Sequence, residues 1–321
     1  MKDVGTTMSI PTAKTAASFL KGCLSCADII IAEMMDQKRI YNPQLHMTSK
    51  TLFGPAFVFN VHDSKGVLVR VLCVDGAYQS AIYLGERKNE LAFEYYRTFD
   101  AAFTAVPDAA RVLVIGGGGC AYPRHLLTQT NVPHVDVCEI DPAIADIAQR
   151  YFGVNELLAE YGNHRDTHEH DKNGEETHVC EGTAARFALH TMAGEKFLET
   201  NNDTFDIIIN DAFAGDNAVG TFHGDKTLQT LSKRLSATGV YLINVIDDYE
   251  TNDAEGTAPI GLSTLTERLM TVFESVIAIP SFDEDFGGRD NYLVMASHNP
   301  NLISLYPTCL PLSELFNQGQ I

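Results

Sequence analysis

RVLVIGGGGCAYPRHLLTQTNVPHVDVCEID, Arg111 to Asp141, is the stretch that decides the fold. The apolar run Val112 to Ile115 ends in four consecutive glycines, Gly116 to Gly119. A helix-compatible segment follows, and a second β-rich run, Val135 to Cys138, closes on Glu139. The order is strand, glycine turn, helix, strand, acid. Glycines at the end of a buried parallel strand let the backbone turn sharply and come close to a ligand with no Cβ in the way. An acid at the end of the next strand stands where a ribose presents its two hydroxyls, and a carboxylate accepts hydrogen bonds from both. The stretch reads as a nucleoside-binding βαβ unit. Dinucleotide-binding and S-adenosylmethionine-binding domains share this logic, so the rest of the chain has to say which nucleoside.

Toward the C-terminus the alternation continues. Pro142 to Phe152 is expected to be a helix, with proline in its first turn. Residues 161–178 are a polar insertion with His164, His168, His170 and His178, expected to be a solvated loop and not a metal site. A third strand is expected at His178 to Glu181, followed by Gly182-Thr183 and a helix through His190. The fourth is Phe205 to Asn210, ending in Asp211-Ala212-Phe213. A helix from Lys226 to Leu235 leads through Ala237-Thr238-Gly239 to a fifth strand, Val240 to Ile246. After a helix from Leu262 to Val272, the runs Ser275 to Pro280 and Tyr292 to Ser297 are close enough in sequence to pair antiparallel. A parallel sheet ending in an antiparallel hairpin is the layout of the S-adenosylmethionine-dependent fold, whereas a dinucleotide dehydrogenase more often continues in parallel.

Toward the N-terminus the texture differs. Residues 89–105 form an aromatic-rich segment expected to be one helix, whose Phe93, Tyr95, Tyr96 and Phe99 either line a pocket or pack in the core. Before it, Phe57 to Val61 and Val67 to Val74 alternate around Asp63-Ser64-Lys65-Gly66, a hairpin signal, and a short run Ala81 to Leu84 follows. Lys14 to Asp36 shows a helical stripe of Phe19, Cys23, Cys26, Ile30 and Met34, with Thr12 placed to cap it. The expected organisation is a helical extension over residues 1–50, a small antiparallel β domain over 51–88 and a Rossmann-like nucleoside-binding catalytic domain over 89–321.

Composition bounds the partners. With 321 residues, 45% of them hydrophobic, the chain buries a substantial core. A formal charge of −19 argues against nucleic acid or an anionic membrane and is compatible with a cationic substrate. Seven cysteines without a framework fit a reducing, cytoplasmic setting, and the single CxxC pair, Cys23 and Cys26, has no second pair at zinc-finger spacing. No stretch approaches the about 20 apolar residues that span a bilayer; Ala16 to Met35 comes nearest, and Lys21, Asp28 and Glu33 interrupt it.

Four motifs together resemble the spermidine synthase (polyamine aminopropyltransferase) family, in its divergent bacterial spermidine synthase-like branch. They are Asp75-Gly76-Ala77-Tyr78-Gln79, similar to the family's DGxxQ; the glycine turn Gly116 to Gly118; Cys138-Glu139-Ile140-Asp141; and Phe205 to Asp211, similar to the strand ending in the catalytic aspartate. The similarity runs from about Phe57 to Ser297. It implies an α/β, Rossmann-like fold of the S-adenosylmethionine-dependent methyltransferase type, a seven-stranded sheet with a terminal antiparallel hairpin, preceded by a small N-terminal β-hairpin domain. It also implies transfer of an aminopropyl group from decarboxylated S-adenosylmethionine, as co-substrate, to putrescine or a related amine, with no prosthetic group and no metal, in a homodimer. By the same resemblance Asp211 is the base. Gly116, Gly117, Gly118, Gly119, Glu139, Ile140, Gly182, Thr183 and Gln79 hold the nucleoside, and Phe93, Glu94, Asp211 and Asp216 face the amine. The chemistry asks for little beyond alignment and a deprotonated nucleophile, since a sulfonium is an excellent leaving group.

The departures are specific. The family's turn is GGGDGG, whose aspartate engages the donor's ammonium; that position is Gly119 here. The aspartate of its GDA or GDG becomes Thr183, the second carboxylate of DSxDP becomes Ala214, and a Tyr-His or Tyr-Gln pair becomes Phe93-Glu94. Either Glu94, Asp216 and other acids replace these carboxylates, or the chain acts on another acceptor or on ordinary S-adenosylmethionine. A methyltransferase of the same fold would use room left at Gly119 for the methionine carboxylate; a non-catalytic nucleoside- or polyamine-binding protein is a third reading.

Overall fold

Thirteen strands and eight α-helices can be followed from the hairpins at the start of the described chain to the last antiparallel strand. The structure is a computed structural model, and the residues it describes are 46–48, 51–63, 65–75, 77–93, 95–129, 133–162, 185–214, 217–218, 224–246, 262–281 and 291–306. The expected helix over residues 14–36, the CxxC pair, the polar histidine-bearing insertion and the candidate residues Glu94, Gly182, Thr183 and Asp216 lie outside them.

A four-stranded antiparallel sheet comes first: β1 (His46–Thr48), β2 (Ala56–His62), β3 (Leu68–Val74) and β4 (Ala77–Tyr83), in that spatial order. The β2–β3 turn forms where the sequence signals it. Asp63 Oδ1 accepts from the backbone N–H groups of Lys65 and Val67, and Gly66 supplies φ +79°. The expected single helix over residues 89–105 is corrected to two short ones, α1 (Tyr95–Thr98) and α2 (Ala101–Ala105). Two contacts explain the break. Leu91 bridges to Ile82 at the edge of β4, and Phe99 and Asp100 bond back to the carbonyls three residues earlier, tightening the chain between the helices.

The main sheet follows: β5 (Arg111–Ile115), α3 (Ala121–Leu127), β6 (His134–Glu139), α4 (Pro142–Tyr151), α5 (Val154–Tyr161), β7 (Phe187–Thr191), α6 (Gly194–Thr200) and β8 (Phe205–Asn210). A two-stranded ribbon, β9 (Phe213–Ala214) and β10 (Asn217–Ala218), precedes α7 (Asp225–Arg234), β11 (Leu235–Ile246), α8 (Leu262–Met270), β12 (Ser275–Ser281) and β13 (Asn291–Ser297). The seven-stranded order is β12-β13-β11-β8-β5-β6-β7; β5, β6, β7, β8 and β11 run parallel, and β13 inserts antiparallel between β11 and β12. The expected fold class holds, terminal antiparallel hairpin included.

Burial follows from strand composition. Val112 to Ile115 and Ile207 to Ile209 are fully covered because both faces of a central parallel sheet carry packed elements. Pro142 opens α4, and Asp141 caps it by accepting from the Ala143 N–H at 2.8 Å. One further expectation is corrected: residues 187–190, read as helix, form β7 beside β6, with Cys138 opposite His190. Their short polar-flanked run carries no period long enough to separate a strand from a helix. Cys73, Cys120 and Cys138 are buried. Among the described residues no helix is long and apolar enough to cross a membrane.

Candidate active site

Strands β5, β6, β7 and β8 deliver their carboxyl ends to one cleft, the place where open α/β sheets bind ligands, and the hairpin sheet closes it from the other side. The cleft is a cavity of about 460 Å³. Its floor is the turn Gly116 to Gly118. One wall is Glu139 and Ile140, with Ala193 to Lys196 after β7 beyond them, and the opposite wall is Asp211 and Ala212. Phe53, Val74 and Gln79 reach in from the hairpin unit and Tyr96 from α1.

The glycines are required by close approach. A Cβ on Gly116, whose φ is +92°, would lie 2.3 Å from the Asp211 carbonyl oxygen, so only glycine lets β5 and β8 end side by side. The crossing is held by Asp211 N–H donating to the Ile115 carbonyl at 2.8 Å and by Gly116 N–H donating to the Cys138 carbonyl at 2.9 Å. At Gly118, φ +46°, the neighbour is the Gln79 carbonyl, 3.2 Å from where a Cβ would stand, which seats the turn on β4.

Glu139 is buried and fixed at both oxygens. Oε2 accepts from Gly118 N–H at 3.0 Å and Oε1 from Asp141 N–H at 2.9 Å. Burial pushes its carboxyl above the ordinary value, and the backbone donors pull the other way. A carboxylate offers about four lone-pair sites, so acceptor capacity remains beside these backbone donors for the hydroxyls of a vicinal diol.

Asp211 follows β8 on the far wall. Asn244 Nδ2, from β11, donates to Oδ1 at 2.9 Å, and the Tyr95 hydroxyl donates to Oδ2 at 3.2 Å. Burial lifts its carboxyl to about 7, against the lowering pull of those two bonds. A carboxylate near 7 exchanges a proton at neutral pH, the property of a general base.

Of the residues singled out from sequence, Gln79, Gly116, Gly117, Gly118, Glu139, Ile140 and Asp211 meet on this cavity. Gly119 does not. A Cβ there would stand 2.7 Å from Phe152 Cδ1 and 2.8 Å from Ser80 Oγ, so the position is packed shut against a side chain. Phe93 is buried and stacks on Tyr95 at 5.7 Å between ring centroids, behind the wall. Tyr95, one of the four aromatics read as lining a pocket or packing in the core, bonds Asp211, whereas sequence reasoning missed Asn244 and the Ala193 to Lys196 turn. Asn244 carried a signal, being the one polar residue inside Val240 to Ile246, and a buried amide needs a partner. The turn was hidden by the helix read through His190; the strand expected at His178 to Glu181 lies outside the described residues.

Residues 99–247 match the spermine/spermidine synthase domain family. The chain is 26% identical over 178 residues to the polyamine aminopropyltransferase of Vibrio vulnificus (strain CMCP6), which covers 55% of this chain and 51% of the relative. It is 35% identical over 83 residues to spermidine synthase 1 of Pisum sativum, 26% of this chain and 23% of that one. The chain thus spans about half the length, or less, of these curated relatives. Among solved structures, spermidine synthase from Thermotoga maritima superposes with a TM-score of 0.57 at 17% identity, over 83% of this chain and 75% of that one, a likeness of fold. By the domain match and the curated relatives the chain is similar to a spermidine synthase-like family, and the solved structure shares its fold.

Proposed function

We propose that the protein is an aminopropyltransferase, moving an aminopropyl group from decarboxylated S-adenosylmethionine to putrescine or a related amine, with Asp211 as base. The observation that carries this is the pairing of two carboxylates on one cavity: Glu139, buried and fixed by backbone donors at the end of β6, and Asp211, half-buried and lifted to about 7 after β8. Glu139 would accept from the ribose hydroxyls, Ile140 and Ile144 would flank the flat base, and Gln79 would stand at the sulfur end. Gly182 and Thr183 belong to the nucleoside side of this reading and Glu94 and Asp216 to its amine side, on the sequence resemblance alone.

The reaction balances with these groups. The amine nitrogen attacks the propyl carbon next to sulfur and a C–N bond forms. The C–S bond breaks with its electron pair going to sulfur, which leaves as a neutral thioether, and the nitrogen's surplus proton passes to Asp211. A polyamine is protonated near neutral pH, so a carboxylate there both orients it and takes its proton. The net charge of −19 favours encounter with a cationic amine.

Wild-type protein is expected to release methylthioadenosine from decarboxylated S-adenosylmethionine and putrescine, with Asp211→Asn about 10²–10⁴-fold slower. No turnover with any diamine or polyamine overturns the reading. We carry forward, as part of the same proposal, a cytoplasmic homodimer without a prosthetic group; sedimentation of the full chain checks the dimer.

A further inference from the structure

Asp211 is held from two sides by uncharged donors on different elements, Asn244 on β11 and Tyr95 on α1. Behind Tyr95 the hydrogen bonding continues. The Tyr95 and Tyr96 hydroxyls are bonded to each other, and the Tyr96 hydroxyl lies 3.3 Å from Ser80 Oγ of β4. Ser80 is fully buried and follows Gln79, a residue of the cavity wall. A row of hydroxyls thus joins Asp211 to the hairpin sheet. The family resemblance would have the aromatic hydroxyl at position 93, where this chain has Phe93; here Tyr95, two residues on, supplies it.

The two donors differ in what they can do next. An amide N–H has no second role, so Oδ1 stays an acceptor for as long as Asn244 faces it. A phenol both donates and accepts, so Tyr95 can turn and receive a bond from a protonated Oδ2. Resting on the base role proposed above, we infer that Tyr95 and Asn244 are positioning residues for Asp211. Asn244 reserves Oδ1 as an acceptor, Oδ2 takes the proton, and the Tyr95–Tyr96–Ser80 row reverses its donor direction when it does. In that step the amine N–H bond breaks and the Oδ2–H bond forms. The Tyr95 hydrogen rotates toward Tyr96 and the Tyr96 hydrogen toward Ser80, with no O–H bond broken. Burial pushes both phenols well above their ordinary value, so the row carries no charge. The titratable and charged groups sharing the cavity with Asp211 among the described residues are Tyr96 from α1, Cys138 and Glu139 from β6, and Glu195, Lys196 and Glu199 from α6.

The test is the titration of the Asp211 carboxyl in ligand-free protein, followed by carbon NMR of aspartate labelled at Cγ, with Asp211→Asn assigning the signal. Asn244 Nδ2 can only donate and so favours the charged form, and Asn244→Leu is expected to move the midpoint upward by about one pH unit; Tyr95→Phe loses the weaker bond to the protonated form as well and should move it upward by less. Tyr96→Phe acts through Tyr95, so the Tyr95→Phe/Tyr96→Phe pair should titrate like Tyr95→Phe alone. In the proposed assay the acid limb of kcat/KM should move with the midpoint while KM for the donor nucleoside stays put. Unmoved midpoints in Tyr95→Phe and Asn244→Leu overturn the inference, and so does a Tyr96→Phe displacement that adds in full to that of Tyr95→Phe. Tyr95→Phe keeps the ring packing and carries the test by itself if Asn244→Leu does not fold. A moved midpoint in a protein that transfers nothing to any amine sinks the proposed reaction and leaves the positioning intact; turnover with unmoved midpoints does the reverse.

Discussion

Between about pH 4, where an aspartate in an unfolded chain loses its proton, and about 7, where Asp211 loses it in the folded protein, folding holds a proton that unfolding releases. Stability therefore falls as pH rises through that window, and the cost is complete above about 7. Asn keeps the shape and the Asn244 and Tyr95 partners without the charge. Asp211→Asn is expected to be more stable than wild type at pH 8 by about 1–3 kcal/mol, less than the whole displacement converts to because the carboxyl is open to the cavity. The two should coincide at pH 4. Calorimetric unfolding at both pH values checks this, and an Asn variant less stable at pH 8 would mean that the two hydrogen bonds outweigh burial. Such a gain in stability with loss of turnover is the pattern expected of a group kept for chemistry. Asp211 and Glu139 were legible in the sequence because each ends an unmistakable apolar run. The bonds of Tyr95 and Asn244 to Asp211 were not, because their two ends lie 116 and 33 positions apart.

At the scale of the element, the turn after β5 shows why a motif position cannot be read alone. Gly119 looked like a lost carboxylate with room left behind, yet Phe152 at the end of α4 and Ser80 on β4 fill the place a side chain would need. Restoring the family's residue with Gly119→Asp is expected to cost about 1–3 kcal/mol through overpacking. It should lower the unfolding temperature and add nothing to nucleoside affinity. An unchanged unfolding temperature with tighter binding of decarboxylated S-adenosylmethionine, seen by thermal scan and calorimetry, would refute it. The break between α1 and α2 has the same origin. Aromatic spacing over residues 89–105 suits one helix, but the Leu91–Ile82 bridge ties its first turn to the hairpin sheet, and Tyr96 then faces the cavity. β7 is a third case, decided by its place beside β6 rather than by its own short run.

Across the whole molecule, the cavity exists because two sheets meet. Arg70 on β3 makes one tie: Nε donates to Asn60 Oδ1 at 3.0 Å, and a terminal nitrogen donates to the Tyr151 carbonyl at 2.8 Å, at the end of α4. The Leu52 N–H, donating to Asp141, makes another. Arg70→Ala touches no residue of the cavity but should loosen the wall that carries Phe53, Val74 and Gln79. The expected result is a several-fold loss of nucleoside affinity, about 1–2 kcal/mol for a charged hydrogen-bond donor, with the seven-stranded sheet intact by circular dichroism. Unchanged affinity would show that the hairpin unit docks without it. The sequence by itself determined the fold class, the hairpin unit ahead of it, the strand, glycine turn, helix and strand from Arg111 to Asp141, and the two carboxylates at strand ends. These rest on local period, glycine placement and strand ends, all written in consecutive residues. Only the tertiary structure decided that Gly119 is sealed, that Phe93 sits behind the wall, that β7 runs from Phe187 to Thr191, and that Asn244 and Tyr95 hold Asp211. Those facts are distances between residues far apart in the chain, and local pattern carries no information about which distant side chain fills a given space.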